Sequence, residues 1–221
     1  MLKKLLLSLA AVFLILLGSL ILLMGYVFNN PDSVFKAFNS VTEKIMQGQA
    51  YEENEEFFLQ GIENLNISSR SVDVNIKIYP GNTLKVSLHG KVPRYESGRF
   101  ISQAAESDNL HLSFREPIAS SWVQINVNGQ ETTQESDSNL SADVYVPQSF
   151  KGNLLVTTQQ GDVRLQVAKN LLYEWDLQSE SGKIENSLGE NEKPTSEINP
   201  AEVGHIKIHT QQGSIFVEPA P

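Results

Sequence analysis

The spacing of hydrophobic positions changes twice along the chain. From Leu5 to Phe28 there is no alternation at all, because 24 consecutive residues carry no charge. As a helix this run reaches roughly 36 Å, enough to cross a ~30 Å hydrocarbon core with some tilt. From Pro31 to Gln47 the apolar residues Val34, Phe38, Val41 and Ile45 recur at steps of four, three and four. That spacing predicts one face of an amphipathic helix, with Pro31 suited to its first turn. The acidic stretch "GQAYEENEE" follows and reads as a linker.

Beyond it the period falls to two. Val72, Val74, Ile76 and Ile78 alternate with polar residues, as do Leu84, Val86 and Leu88, then Leu110, Leu112 and Phe114. Such alternation predicts strands with one buried face. Pro80-Gly81 predicts a hairpin between the first two. "SWVQINVNG" adds a strand, and "QETTQESDSN" reads as a polar loop. Strands resume with Ala142, Val144 and Val146, and alternation continues to Glu218, interrupted by a polar excursion at 186–203. The predicted organisation is an anchor at 1–28, a juxtamembrane helix and linker at 29–56, and a β-repeat domain at 57–221.

Three stretches align on their glycines: "VTTQQGDVRLQ" at Gly161, "LQSESGKIENS" at Gly182 and "IHTQQGSIFVE" at Gly213. Each has an apolar residue five before the glycine (Val156, Leu177, Ile208) and another two after it (Val163, Ile184, Ile215). A strand–turn–strand unit of about 20 residues cannot bury its apolar face alone, so neighbouring units must stack. Glycine fits such a turn where φ is positive or where backbones pass closely. Gly161, Gly182 and Gly213 are therefore predicted to be structural turn glycines.

The strand ending in proline, "ADVYVPQSFKG", followed by "LLVTTQQGDVRLQ", "SESGKI" and "TQQGSI", resembles the adhesin-type β-strand-repeat domains of unknown function found in bacterial envelope proteins. The likeness extends over roughly residues 57–219. It implies an all-β fold, a β-solenoid-like or sandwich-like stack of short strand repeats displayed outside a bacterial membrane. It brings no catalytic residue with it. In this chain the fold is expected to be preceded by a transmembrane helix and a short amphipathic helix.

Charge and composition refine this reading. Lys3 and Lys4 precede the apolar run and favour a cytoplasmic N-terminus with the rest outside. A retained anchor is favoured over a cleaved signal, whose apolar region is only about 7–15 residues and ends at a small-residue site. Formal net charge is −9; Lys3 and Lys4 account for +2, leaving −11 on the remainder. That balance opposes nucleic-acid binding. With no cysteine there are no disulfides, thiolate metal ligands or cysteine nucleophiles.

His205 and His209 have a spacing that chelates zinc on a helix, but they alternate with Ile206 and Ile208. On a strand they stand about 13 Å apart and cannot share an ion. No phosphate loop, nucleophile elbow or metalloprotease motif is present. Trp175 alternates with Tyr173 and Leu177 and reads as core. Trp122 falls out of phase with Val123 and Ile125 and is the candidate exposed contact residue.

These features predict a single-pass protein of the bacterial cytoplasmic membrane, held by residues 5–28, with an extracytoplasmic binding or scaffold module. The expected partner is an envelope polymer or a membrane protein. No catalytic, metal or cofactor site is expected. Two other roles fit the same features: an accessory regulator of envelope-stress signalling acting through a membrane-protein partner, and a polysaccharide-active enzyme.

Overall fold

The computed structural model describes residues 2–117, 122–127, 129–135, 137–168, 173–188 and 203–220. Within these, the side chains at 2–10, 27–28, 31, 44–46, 122–123, 125, 127, 130 and 134–135 are not described. Most of the polar excursion expected at 186–203 lies outside the described residues. The chain divides into two compact units.

The first unit holds helices α1 (Leu2–Asn29) and α2 (Pro31–Met46) and strands β7 (Trp122–Val127) and β8 (Gln130–Glu135). The large apolar side chains described along α1, from Val12 to Tyr26, are 43–76% exposed. Among the described residues no helix is long and apolar enough to cross a membrane; within α1 the described side chains run only from 11 to 26. Pro31 opens α2 as expected. The covered face of α2 differs from the predicted stripe. Val34, Phe35 and Phe38 are half-buried and Thr42 is buried, while Val41 is 58% exposed. Thr42 can turn inward because its hydroxyl donates to the Phe38 carbonyl at 2.8 Å. No polar group is then stranded.

The expected polar loop after β7 is a strand. Pairing of β7 with β8 is antiparallel, from Trp122↔Glu135 to Val127↔Gln130. Glu131 accepts from the amides of Gln124 and Asn126 at 2.8 Å each. These cross-strand polar pairs contribute to holding the hairpin together.

Among the described residues, the regular elements of the second unit are all strands. A six-stranded sheet has the order β12 (Tyr173–Ser179), β14 (Gly204–Thr210), β10 (Asn153–Thr158), β2 (Asn64–Ser69), β6 (Asn109–Phe114) and β5 (Ile101–Glu106). A seven-stranded sheet has the order β1 (Gly48–Phe57), β4 (Leu84–Pro93), β9 (Asn139–Pro147), β3 (Asp73–Tyr79), β11 (Val163–Val167), β15 (Ile215–Pro219) and β13 (Ile184–Asn186). Four strand–turn–strand layers bridge the sheets, namely β2–β3, β10–β11, β14–β15 and β12–β13. Neighbouring layers pair in parallel and in register, as a β-solenoid does.

The apolar alternation becomes columns through the stack. Leu110, Leu65, Leu154 and Ile206 line up on one sheet, and Ala142, Val74, Val163 and Ile215 on the other; all are at most 5% exposed. Burying a Val, Leu or Ile side chain contributes about 1.5–3 kcal/mol. The columns end at Trp175, Leu177 and Ile184 in the β12–β13 layer. Trp175 is therefore only partly buried, where the alternation predicts core, and Ile184 is 45% exposed.

Two further expectations are corrected. "GQAYEENEE" is not a linker but edge strand β1, paired along its whole length with β4. Of its alternating half-buried positions Tyr51, Glu53, Glu55 and Phe57, the middle two are carboxylates that meet Arg99, so apolar residues mark only the ends of the alternation. Pro80-Gly81 lies between β3 and β4, but these strands do not form a hairpin, because β9 lies between them in the sheet.

Candidate functional site

Each layer turns from one sheet to the other through the repeated motif, and three of the four turns share one hydroxyl bond. In the β12–β13 turn Ser179 Oγ instead accepts from Gly182 N–H and donates to the Gly213 carbonyl. Thr158 is fully buried and donates its hydroxyl to the Gly161 carbonyl at 2.7 Å; Thr210 does the same for Gly213 at 2.6 Å. Ser69 serves the Val72 carbonyl at 2.8 Å, which identifies "SRSV" as a fourth copy of the turn. Its signal was a hydroxyl three residues before the turn's end, obscured because Val72 replaces the glycine. The glutamines take part through their backbones: Gln212 N–H donates to the Gln159 carbonyl at 2.8 Å, and Gln160 N–H to that of Arg70 at 2.7 Å. Their side chains are exposed.

The three glycines form one column in the order 182, 213, 161. A Cβ on Gly182 would fall on the Gly213 carbonyl oxygen, one on Gly213 on that of Gly161, and one on Gly161 on that of Val72. None of the three has positive φ; among the described residues the glycines that do are Gly61, Gly90, Gly98 and Gly129. Close backbone approach is thus the reason for glycine here, and handedness is not. The residue after each glycine links the layers: Asp162 N–H donates to Asp73 Oδ1 at 2.9 Å, Ser214 N–H to Asp162 Oδ1 at 2.7 Å, and Lys183 N–H to Ser214 Oγ at 3.3 Å.

This frame holds the outer face of the six-stranded sheet in register. Across it run two rows: Glu174, His205, Asn153 and Asn64, then Asp176, Lys207, Leu155 and Asn66. His205 lies 3.4 Å from Glu174, Lys207 lies 3.3 Å from Asp176, and Asn153 donates to Asn64 at 2.9 Å. These residues line an open groove of about 510 Å³. His205 and His209 stand on this outer face as expected of a strand. Among the described residues no cluster of His, Asp and Glu is arranged to hold a metal ion.

The outer face of the other sheet carries a tighter network. Asp143 accepts from Lys77 and Asn75 at 3.0 Å each, and Lys77 lies 5.0 Å from the Tyr145 ring centre. Burial raises the Asp143 carboxyl, but Lys77 and Asn75 outweigh it and hold it below its ordinary value. Burial lowers the Lys77 ammonium, and Asp143 more than restores it. The groove over this network is smaller, about 340 Å³ against 510 Å³, which leaves the first groove as the better candidate for a ligand. Trp122 opens β7, and its side chain is outside the described residues.

Residues 118–218 match the family described as Toastrack DUF4097, which bears out the resemblance drawn from the repeats over a shorter span than 57–219. No curated protein matches. Among solved structures, the chain is similar to a "putative cell adhesion protein" from Clostridium sporogenes, with 11% identity, 77% of this chain and 100% of that one covered, and a TM-score of 0.42. It is also similar to a "putative lipid binding protein" from Parabacteroides distasonis (9% identity, 78% and 68% covered, TM-score 0.29). A third is a "putative adhesin" from Bacteroides fragilis (10% identity, 78% and 99% covered, TM-score 0.27).

Proposed function

We propose that this chain is a membrane-anchored, non-enzymatic binding or scaffold module of the bacterial envelope, with its β-stack outside the cytoplasmic membrane. The observation that carries this reading is the pairing of two surfaces with opposite demands. The described part of α1 presents a sleeve of exposed apolar side chains, which water penalises and a bilayer accepts. The β-stack presents polar outer faces on a backbone locked layer to layer, a geometry suited to displaying a surface. The charged groups in its main groove are committed to cross-strand pairs, which supports binding over turnover.

The test is crosslinking of the full-length protein in its native membrane, followed by mass spectrometry of captured proteins and glycans. Fractionation with the membrane and recovery of wall polymer support the reading. Recovery from the soluble fraction overturns the anchor, and consistent capture of one membrane protein without polymer replaces the module by a regulatory accessory.

A further inference from the structure

Leu155 breaks the rule that its own strand follows. On the outer face of β12, β14, β10, β2 and β6 the side chains at the paired positions are Glu, Asp, Gln, His, Lys, Asn, Thr and Ser, and Leu155 alone is large and apolar. It is half-buried and sits amid the 510 Å³ groove, beside Lys207 on one side and Asn66 on the other. With the half-buried Trp175, which also lines the groove, Leu155 gives it an apolar floor among placed polar groups, as ligand sites have.

The chemistry of the ring narrows the ligand. Both basic groups are matched by a carboxylate across the strand, His205 by Glu174 and Lys207 by Asp176. No uncompensated positive charge is left in the groove to hold a phosphate or carboxylate polymer, and the chain's net charge of −9 repels one. An acyl chain needs an enclosed apolar cavity, whereas this groove is open and rimmed with charge. Amides dominate what remains. Asn64 accepts from Asn153 and keeps both its donors, and Asn153 keeps its carbonyl. Asn66 has one contact, to His111 at 3.4 Å. Groups that both donate and accept, set around an apolar floor, complement neighbouring hydroxyls on a ring with apolar C–H faces. Spanning four strands, the groove is about 14 Å across.

Resting on the binding-module reading, we infer that the groove across β12, β14, β10 and β2 binds an uncharged, hydroxyl-rich glycan segment laid across the strands. Its ring faces lie over Leu155 and its hydroxyls meet Asn64, Asn66, Asn153 and the carboxylates of Glu174 and Asp176.

The experiment is titration calorimetry of the full-length protein, in mild detergent, with cellotetraose, chitotetraose and the carboxylated tetragalacturonate. Sedimentation with wall material is run on the same preparations. The expected result is binding of a neutral tetramer, weakened about five- to tenfold by Asn66→Ala and by Leu155→Asn. Gln160→Ala, in the exposed turn, leaves it unchanged, and unchanged melting curves show that all variants fold. Preference for tetragalacturonate, or neutral binding that the groove variants do not weaken, overturns the inference. If no tetramer binds, the inference also fails; retained sedimentation with wall material then leaves the module reading standing, and lost sedimentation removes both.

Discussion

Gly213 lies over the carbonyl oxygen of Gly161, 52 residues earlier in the chain, with no room between them for a methyl group. The two copies of Thr-Gln-Gln-Gly are therefore one structure made twice in adjacent layers. The obstacle to substitution is backbone, which cannot move aside as the end of a flexible side chain can.

Gly161→Ala and Gly213→Ala are accordingly expected to lower stability by about 1–3 kcal/mol each, as overpacking does. In a domain of this size that corresponds to roughly 2–12 °C in Tm. A melting curve superimposable on wild type would show that the layers can part at no cost.

The buried turn hydroxyls give a finer test. Thr158→Val keeps the shape but deprives the Gly161 carbonyl of its donor, at a cost of about 1–3 kcal/mol. Thr210→Val is expected to cost less, because the Gly213 carbonyl also accepts from Ser179 Oγ at 3.0 Å. Chemical denaturation of the two variants ranks them, and the reverse order contradicts this account.

Acid stability follows from Glu53. Its Oε2 accepts from Phe100 N–H at 2.7 Å, Ile101 N–H at 3.1 Å and the Tyr51 hydroxyl at 2.7 Å, and Oε1 meets Arg99 at 3.0 Å. Burial alone raises this carboxyl, but the donors together hold it below the ordinary value of 4.5. A carboxyl depressed in the folded state contributes stability that is fully present above its unfolded pKa and is lost as pH falls through the folded value. Melting temperature is expected to fall below about pH 4.5. Glu53→Gln is expected to flatten that dependence while lowering stability at neutral pH. An equal slope in both proteins would assign the acid sensitivity elsewhere.

On α2, the Val41 side chain is 58% exposed. Val41→Lys is therefore expected to change stability by less than about 0.5 kcal/mol. Thr42→Lys, at a buried position, is expected to be disruptive. Thermal melts of the two variants decide between the observed helix face and the one that hydrophobic spacing predicts.

Pattern reading stops short at α2. Helical spacing finds the helix but cannot tell Val41 from Thr42 when the threonine satisfies its own hydroxyl. Strand β1 was hidden for a related reason: its half-buried carboxylates are matched by Arg99, so through its middle burial alternates while hydropathy does not. Strand β8 is polar throughout, yet the Asn128-Gly129 pair ahead of it is a strong hairpin signal. Gly129 has a φ of 80°, as such a turn requires. The turn glycines were legible in position, though only the structure shows that crowding, not handedness, requires them. The groove was not legible, because it joins four strands whose paired residues are far apart in the chain, as Asn64 and Asn153 are. Leu155 was its one visible trace.

The order of strands in space is not their order in the chain. Although β14 and β15 follow β12 and β13 in sequence, they sit between that layer and β10–β11, and among the described residues β12 and β13 pair with nothing else. During synthesis β12 and β13 are therefore left without partners until β14 and β15 have been made. These two late strands are the keystone of that end of the stack. A chain clipped after β13 loses not only the layer still to come but the docking of the one already made.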